Sequence, residues 1–251
     1  MLIDPKDRKY LVQLFPGSQF HFHRGFVPHD EIIGLDSGST VESSAGAKLT
    51  ALHPRLADFV LKMKRGAQVV YPKDMGHIII WGDIAPGQTV VEAGTGSGAL
   101  TCALGRIIGQ SGHLVSVERR EDHAAHAAKT IERFFGAIPQ WIELRIGEVV
   151  DAVEEVRPDR VVLDLPEPFA VVPAVAAAMQ PGGVLTTYVP TVPQLQLIQD
   201  ALDEAGTFAD VTHLEVMQRT WNVSGRSVRP DHRMIGHTGF LTFARKLAGA
   251  P

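Results

Sequence analysis

The chain has 251 residues, a formal net charge of -4, 45% hydrophobic residues and 21% charged residues. This balance predicts a globular protein with one large domain, alone or with a small one, and the net charge by itself does not indicate a nucleic-acid binder. The single cysteine, Cys102, excludes an internal disulfide and fits a reducing compartment, so we expect a cytoplasmic protein. The opening MLIDPKDRKY lacks an apolar core, and the run AVVPAVAAAM is too short to span a bilayer, so we expect neither a signal peptide nor a membrane partner.

The first part of the chain reads as a small β module. Residues 1 to about 50 are rich in Gly, Ser, His and short apolar runs, which predicts short strands and turns. The stretch LHPRLADFVLKMKRG (52–66) predicts a helix with one apolar face that ends at Gly66. We therefore expect a small N-terminal β domain with a linking helix over 1–66 and a catalytic domain over 67–251.

Downstream, short β-branched segments alternate with helix-like segments. The predicted strands are TVVEAG, HLVSVER, WIELRI, DRVVLDL and GVLTTYV, and the predicted helices are ALTCALGRIIG, DHAAHAAKTIERFF, the segment after PEPF, and VPQLQLIQDALDEAG. Such alternation predicts an α/β fold with a doubly wound, largely parallel sheet. The last two strands, ADVTHLEVMQRTWNV and TGFLTFARKL, are joined by a loop, so the last strand should insert antiparallel. That ending is typical of a Rossmann-like class I methyltransferase sheet and not of a dinucleotide-binding domain.

A glycine-rich turn, EAGTGSGALT (92–101), joins the first predicted strand of this sheet to the first helix. Gly94, Gly96 and Ala99 satisfy the dinucleotide spacing G-x-G-x-x-G/A. Gly94, Gly96 and Gly98 equally satisfy the G-x-G-x-G spacing of S-adenosylmethionine (SAM) sites. The glycine spacing alone therefore does not distinguish the two cofactors.

The acidic residues around the turn favour SAM. Glu92, near the mouth of the turn, would repel a pyrophosphate and attract the cationic methionine end of SAM. Glu118 closes the next predicted strand, where a carboxylate accepts ribose hydroxyls of either cofactor. SAM is the favoured cofactor, and NAD or a plain tight turn are the alternatives.

An acidic residue also follows the fourth predicted strand. The stretch VVLDLPEPF places Asp164 at the carboxyl end of that strand, the edge at which open α/β sheets bind ligands. An isolated buried carboxylate is costly, and Pro166 and Pro168 would stiffen the loop around it. We predict a catalytic carboxylate; a cap for the following segment is the alternative.

Several segments of the chain together resemble the SAM-dependent tRNA (adenine-58-N1)-methyltransferases of bacteria and archaea, especially the actinobacterial type. They are YPKD (71–74), EAGTGSGALT (92–101), RREDHA (119–124), LDLPEP (163–168), YVPT (188–191) and RPDHRMIGHTGFL (229–241). The similarity covers nearly the whole chain, including HRGFVPHDEIIG (23–34). The glycine motif is shared by many methyltransferases, whereas YPKD, the D-L-x-E-P loop and GHTGFL in that order are more specific.

The resemblance implies methylation of N1 of adenosine 58 in the T loop of tRNA by a homotetramer. It implies that Asp164 is the catalytic carboxylate and that Tyr71 lies at the target adenine. The residues predicted to contact SAM are Glu92, Gly94, Thr95, Gly96, Ser97, Gly98, Ala99, Leu100, Glu118, His123, Glu148 and Asp164. Related sequences often have Gly-Asp where this chain has Gly147-Glu148, and many have Trp where it has Phe169.

Basic residues form two clusters that predict contacts with RNA phosphates, although solvated surface charge is the alternative. One cluster is Lys62, Lys64 and Arg65, and the other is Arg219, Arg226, Arg229 and Arg233 with Trp221 interleaved. His237 is predicted to be a hydrogen-bonding structural residue or a tRNA contact. The pattern HFH (21–23) lacks a third ligand nearby, so we expect no metal.

Three other functions remain open from the sequence. The protein could be another SAM-dependent enzyme, an NAD-linked oxidoreductase, or a non-catalytic tRNA-binding subunit. Glu92 and the terminal strand pair disfavour the oxidoreductase. A non-catalytic subunit should have lost the glycine turn or the acid at position 164, and this chain keeps both.

Overall fold

The structure, a computed structural model, describes residues 1–63 and 68–249. The chain divides into two compact units, Met1–Lys64 and Arg65–Pro251. The predicted boundary between residues 66 and 67 lies outside the described residues and stays a prediction. Within the described residues, none of the helices has the length and apolar character needed to cross a membrane.

The first unit is built from short strands. They are β1 (Leu2–Ile3), β2 (Lys9–Tyr10), β3 (Gln19–Phe22), β4 (Gly25–Pro28), β5 (Thr40–Glu42) and β6 (Lys48–Ala51), and helix α1 (Leu56–Lys62) follows them. Strands β2, β1, β6 and β5 form an antiparallel sheet in that order, and β3 pairs with β4. Leu2, Val27 and Leu49 lie in the apolar core of this unit.

Helix α1 is shorter than the predicted helix over 52–66. Pro54 disfavours a helical conformation in His53, and Arg55 is extended and serves as the N-cap, so the helix begins at Leu56. The backbone N–H of Arg55 donates to Asp58 Oδ2 at 3.2 Å, which stabilises this start. The predicted end at Gly66 lies outside the described residues.

The second unit contains the remaining elements. The strands are β7 (Thr89–Ala93), β8 (His113–Glu118), β9 (Ile142–Ile146), β10 (Arg160–Leu163), β11 (Val184–Val189), β12 (Phe208–Glu215), β13 (Trp221–Ser224), β14 (Ser227–Pro230) and β15 (Phe240–Lys246). The helices are α2 (Pro72–Trp81), α3 (Ala99–Ile108), α4 (Glu121–Phe135), α5 (Val149–Val156), α6 (Val172–Ala178) and α7 (Val192–Ala205).

A 7-stranded sheet forms the centre of the second unit, in the order β12-β15-β11-β10-β7-β8-β9. Strands β7, β8, β9, β10 and β11 are parallel, and β15 inserts antiparallel between β11 and β12. The predicted doubly wound sheet with an antiparallel last strand is confirmed. The parallel strands are rich in buried Val and Leu because helices cover both faces of the sheet.

The helices pack in two groups. Helix α3 contacts α2 and α4, and helix α6 contacts α5 and α7. Val91, Val161 and Leu185 of the sheet belong to an apolar core that also contains Val153 and Ile198 from the second group of helices. This arrangement leaves the carboxyl ends of β7, β8, β10 and β11 together at one edge of the sheet, where the predicted acidic residues lie.

The single long strand predicted over ADVTHLEVMQRTWNV is wrong. Strand β12 ends at Glu215 because its partner β15 begins at Phe240, which is paired with Glu215. The chain then leaves the sheet and forms a separate hairpin of β13 and β14, with Asn222 opposite Arg229. Helix α2 ends at Trp81 and is followed by Gly82 at its C-cap.

Candidate active site

A cavity of about 460 Å³ opens at the carboxyl edge of the parallel strands, a size suited to a nucleoside-sized ligand. The predicted residues that line it are Gly94, Thr95, Gly96, Ser97, Ala99, Leu100, Glu118, His123 and Asp164. The fold thus brings together the ends of β7, β8 and β10 with the first turn of α3. This is the place at which open α/β sheets bind ligands.

The glycine turn brings the end of β7 against the end of β10. Gly94 has φ +88°, and a Cβ placed there would lie 2.0 Å from the carbonyl oxygen of Asp164. A residue with a side chain would be strained at this φ and would collide with backbone. Glycine at position 94 therefore sets the distance between the turn and Asp164.

The carboxylate of Glu118 is held in place by backbone amides. The N–H of Gly96 donates to Glu118 Oε2 at 2.9 Å, and the N–H of Arg120 donates to Oε1 at 3.1 Å. These bonds fix an acidic group on the wall of the cavity, opposite the start of α3. Such a fixed carboxylate can accept hydrogen bonds from paired hydroxyl groups of a ligand.

Asp164 follows β10 directly, and its N–H donates to the carbonyl of Ala93 at 2.9 Å. Burial of the carboxyl group, followed by the nearby negative charge of Glu118, raises the pKa of Asp164 to about 7. A carboxyl group with this pKa can accept or donate a proton near neutral pH. Its position on the cavity wall makes it the candidate general base.

Glu92 lies elsewhere than expected. It is fully buried in β7 and does not line the cavity, so it is behind the turn and not at its mouth. Neither carboxylate oxygen has a hydrogen-bond partner among the described residues. Burial raises the pKa of Glu92 to about 7, the hydroxyls of Ser116 and Thr101 oppose that rise, and the charges of Asp164 and Glu118 add to it. Contact between Glu92 and a cofactor stays a prediction.

The raised pKa of Glu92 predicts a pH-dependent cost in stability. The folded protein holds the proton on the Glu92 carboxyl group more tightly than the unfolded chain does. The resulting gain in the free energy of unfolding is fully present below pH 4.5 and is lost as the pH rises to about 7. The Glu92→Gln variant, which mimics the protonated form, should gain about 3 kcal/mol over the wild type between pH 4.5 and pH 8. Urea unfolding at both pH values measures this gain.

A matched control is Glu132→Gln, since Glu132 is exposed on α4. This control should follow the wild type at both pH values. A constant stability difference between Glu92→Gln and wild type across the range would contradict the buried, unpartnered state of Glu92.

Sequence reasoning missed several other residues that line the cavity. They are Gln68, Val70, Arg120, Leu165, Pro166, Tyr188, Pro190, Gln194 and Thr238. Tyr188 is 6% exposed, and Gly239 approaches it so closely that a Cβ there would lie 2.6 Å from Cζ of the ring. Tyr188 and Thr238 fall within the motifs YVPT and GHTGFL, so the motifs marked the segments but not the side chains that line the cavity.

Two of the predicted site residues have other surroundings. Tyr71 caps the start of α2 and is near enough to Tyr188 to influence the pKa of that phenol, although it does not line the cavity. Glu148 accepts a bond from Arg119 Nε at 2.9 Å and is not on the cavity wall. The roles predicted for both residues stay predictions.

Gly98 is packed away from the cavity. It precedes α3 with φ +77°, and a Cβ there would lie 3.1 Å from the carbonyl oxygen of Ala127. Its predicted contact with SAM also stays a prediction, and the structure accounts for this glycine by the close approach of α3 and α4.

His237 bridges two acceptors, as expected for a hydrogen-bonding structural residue. Its Nδ1 lies 2.5 Å from Glu215 Oε1 and its Nε2 lies 2.8 Å from the carbonyl oxygen of Pro190. Both acceptors need a proton from the ring, so this geometry requires the imidazolium form. The hydrogen bond to Glu215, followed by that to Pro190, raises the pKa of His237 accordingly.

Of the two predicted basic clusters, the described residues contain one in full. Lys64 and Arg65 lie outside the described residues, whereas Arg219, Arg226, Arg229 and Arg233 are exposed around the β13–β14 hairpin. Among residues 1–63 and 68–249, no group of His, Cys, Asp or Glu side chains could hold a metal ion. His21 and His23 of the HFH pattern instead contact Phe26 and Phe22, respectively.

The strand order with an antiparallel β15, the glycine turn after β7 and the acidic strand ends define a class I methyltransferase. The profile of the family described as "tRNA methyltransferase complex GCD14 subunit" matches residues 49–231, and that of "TrmI-like N-terminal" matches residues 1–41. The chain belongs to this GCD14/TrmI family of tRNA methyltransferases.

Curated relatives match almost the full length of the chain. The tRNA (adenine(58)-N(1))-methyltransferase TrmI of Thermus thermophilus is 38% identical over 98% of this chain and 96% of its own. The tRNA (adenine(57)-N(1)/adenine(58)-N(1))-methyltransferase TrmI of Methanocaldococcus jannaschii is 33% identical over 98% of this chain and 94% of its own.

Solved structures have the same fold. A SAM-dependent O-methyltransferase from Thermotoga maritima superposes with a TM-score of 0.92 at 30% identity, over 100% of this chain and 93% of that one. The tRNA (m1A58) methyltransferase TrmI from Aquifex aeolicus superposes with a TM-score of 0.81 at 24% identity, over 97% of this chain and 94% of that one, and supports the fold.

Proposed function

We propose that this protein transfers the methyl group of SAM to N1 of adenosine 58 in tRNA. The observation that carries the proposal is the position of Asp164, which lies on the cavity wall between the glycine turn and Tyr188. The near full-length relatives with this named activity support the choice of acceptor. The acidic groups on the cavity wall suit a cationic methyl donor, and the carboxyl group of Asp164 suits an adenine edge.

The residues present fit SAM better than a pyrophosphate cofactor. Glu118 and Asp164 put two carboxyl groups on the cavity wall, and Glu92 adds a buried carboxyl group behind it whose oxygens lack a partner among the described residues. Among the described residues that line the cavity, Arg120 is the one Lys or Arg, and it is paired with Asp122 at 2.8 Å. Negative surroundings favour a sulfonium and an ammonium and disfavour phosphates. When bound, SAM supplies the electrophilic methyl group.

Each acidic residue then has a distinct task. Glu118, fixed by the amides of Gly96 and Arg120, accepts the ribose hydroxyls. Asp164 faces the purine, accepts a hydrogen bond from its N6 amine and stabilises the positive charge that develops on the ring as N1 is methylated. With a pKa of about 7, Asp164 can also take the N6 proton. Adenine N1 has its own in-plane lone pair, so no cysteine adduct is needed.

Since N1 lies on the Watson–Crick edge, the target base must leave its stack before reaction. We therefore expect an aromatic side chain that receives the base. Tyr71 is our candidate to receive the base, because it begins α2 beside the buried Tyr188. The finer assignment of Tyr71 as a catalytic residue rests on this proximity and on the YPKD motif.

The direct test is methyl transfer from labelled SAM to an unmodified tRNA transcript, followed by nucleoside analysis. We expect 1-methyladenosine as the product, and an otherwise identical transcript with guanosine at position 58 should receive no label. Transfer to the guanosine-58 transcript, or a different methylated nucleoside, would overturn the assigned acceptor.

We propose that the segment 216–239, here named the arm, contacts the tRNA backbone. The arm contains the β13–β14 hairpin, and Arg226 and Arg229 on it are exposed to solvent. A two-stranded hairpin that projects cations in this way suits a phosphate backbone. The chain is acidic overall, so the arm concentrates positive charge where a polyanion could bind.

Charge reversal on the arm tests this proposal. Arg226→Glu and Arg229→Glu should each weaken tRNA binding by about tenfold and reduce the salt slope of log K by about one unit, because each removes a phosphate contact. Fluorescence titration at several salt concentrations measures both quantities. The control Arg106→Glu lies in the last turn of α3, away from the carboxyl edge, and should match wild type. An unchanged slope in the arm variants would contradict the assignment.

We further propose that the enzyme is a cytoplasmic homotetramer. Exposed apolar residues on the arm, with Trp221 at 58%, Val223 at 70% and Val228 at 62% exposure, support association of copies. Sedimentation equilibrium of the purified protein measures the assembly directly; a monomer at micromolar concentration would contradict it.

A further inference from the structure

The buried side chain of Lys73 forms hydrogen bonds that connect three parts of the chain. Its Nζ donates to Asp74 Oδ1 at 2.7 Å, to the carbonyl oxygen of Val216 at 2.7 Å and to Thr238 Oγ1 at 2.6 Å. A lysine ammonium has three N–H donors, so these bonds use all of them. The Lys73 side chain is only 7% exposed, and each of its donors has an acceptor within the protein.

The partners of Lys73 are satisfied as well. Asp74 is 0% exposed, and its second oxygen accepts the hydroxyl proton of Thr238 at 2.8 Å. The Thr238 hydroxyl therefore accepts from Lys73 and donates to Asp74, which closes the network. A closed network of this kind specifies one arrangement, since loss of any member leaves a buried polar group without a partner.

The network connects the two ends of the arm, which together are here named the base of the arm. Val216 and Thr238 lie at opposite ends of the arm, and both bind the same ammonium at the start of α2. His237, next to Thr238, makes a second connection at this base through Glu215 and the carbonyl of Pro190. The hairpin between these ends makes few other contacts and is exposed along its length.

The same contacts reach the cavity. Thr238 lines the cavity, and its hydroxyl lies beside the phenol of Tyr188. The next residue, Gly239, packs directly on that ring. One buried ammonium thus connects the two ends of the arm with Thr238, a residue of the cavity wall.

We propose that Lys73 and Asp74 are positioning residues that hold the RNA-binding arm at the wall of the methyl-transfer cavity through Thr238 and Val216. This proposal rests on the proposed function and deepens it. Neither Lys73 nor Asp74 lines the cavity, so they act on the tRNA through the arm and not by contact with the cofactor. Release of the base of the arm should impair productive tRNA binding and leave the SAM subsite intact.

Two sets of variants test the proposal. Thr238→Val removes the hydroxyl and keeps the shape, whereas Thr238→Ser keeps the hydroxyl and should rescue. Lys73→Met combined with Asp74→Asn removes both charges together, so that no buried charge is left unpaired. Lys129→Met, an exposed site on α4, is the control. For each folded variant we would measure KM for tRNA, kcat, calorimetric SAM affinity, and hydrogen exchange in peptides covering 212–220 and 236–243.

We expect Thr238→Val and the double variant to raise KM for tRNA by about tenfold and to speed exchange at the base of the arm. In the double variant, whose two residues do not line the cavity, SAM affinity should stay within about twofold of wild type. Thr238→Ser and Lys129→Met should resemble wild type. Equal losses of SAM and tRNA binding, or unchanged KM and exchange in the folded variants, would overturn the proposal. The exchange readout needs no substrate, so a wild-type protein that fails to methylate tRNA would count against the proposed function alone.

Discussion

Replacement of Asp164 by alanine should lower kcat for tRNA methylation by at least about a hundredfold. The carboxyl group of Asp164 lies on the cavity wall, directly after β10, and its pKa is raised to about 7. It is the group placed to stabilise the methylated ring and to take its N6 proton. Single-turnover methyl transfer with saturating tRNA and SAM measures the loss in the chemical step.

The fold and the cofactor subsite should survive this change. Asp164 is tied to the sheet by its backbone N–H, which donates to Ala93 and is unaffected by the side chain. SAM affinity by calorimetry should therefore fall by no more than about tenfold. Asp164→Asn keeps the shape without the negative charge and should be almost as slow as alanine. Turnover within about threefold of wild type in either variant would contradict the assigned role.

Replacement of Gly94 by alanine should destabilise the protein by about 4 kcal/mol and abolish methyl transfer. The added Cβ would lie 2.0 Å from the carbonyl oxygen of Asp164 and 2.9 Å from its carbonyl carbon, at φ +88°. Since the obstacle is backbone, either the turn or the end of β10 must move. Movement of either separates Asp164 from the SAM subsite.

Gly136→Ala is a close control because the backbone there has φ +90° and a Cβ would meet nothing within 4 Å. Gly136→Ala should lower the free energy of unfolding only through the unfavourable backbone conformation, by about 1 to 2 kcal/mol, and should retain activity. Urea unfolding and turnover of the two variants, compared side by side, separate strain from collision. Equal destabilisation of both would show that the contact between Gly94 and Asp164 is not tight.

The parallel part of the fold could be predicted because most of its strands are short runs rich in β-branched residues. Val90, Val115 and Val161 belong to such runs, and the structure buries all three. The glycine turn and Asp164 were likewise predictable, since topology alone puts the carboxyl ends of neighbouring strands at one edge.

Other features depend on contacts between residues far apart in the chain. Lys73 and Val216 are 143 positions apart, and Asp74 and Thr238 are 164 positions apart, so no local pattern indicates their bonds. Sequence reasoning missed the hairpin because the residues after Glu215 are still of types that favour β-strands. Strand β15, however, has no residue that pairs with β12 beyond Glu215. Glu92 is buried beside Ser116 of β8 and Thr101 of α3, and the spacing of the glycines does not report these neighbours.

A crystal structure of the protein with S-adenosylhomocysteine tests the central claim most directly. We predict that the ribose hydroxyls of the ligand contact Glu118, that its amino-acid end lies along the Gly94–Ala99 turn, and that its sulfur faces the side of the cavity that holds Asp164. A ligand bound outside this cavity, or an Asp164 carboxyl group turned away from the sulfur, would contradict the account.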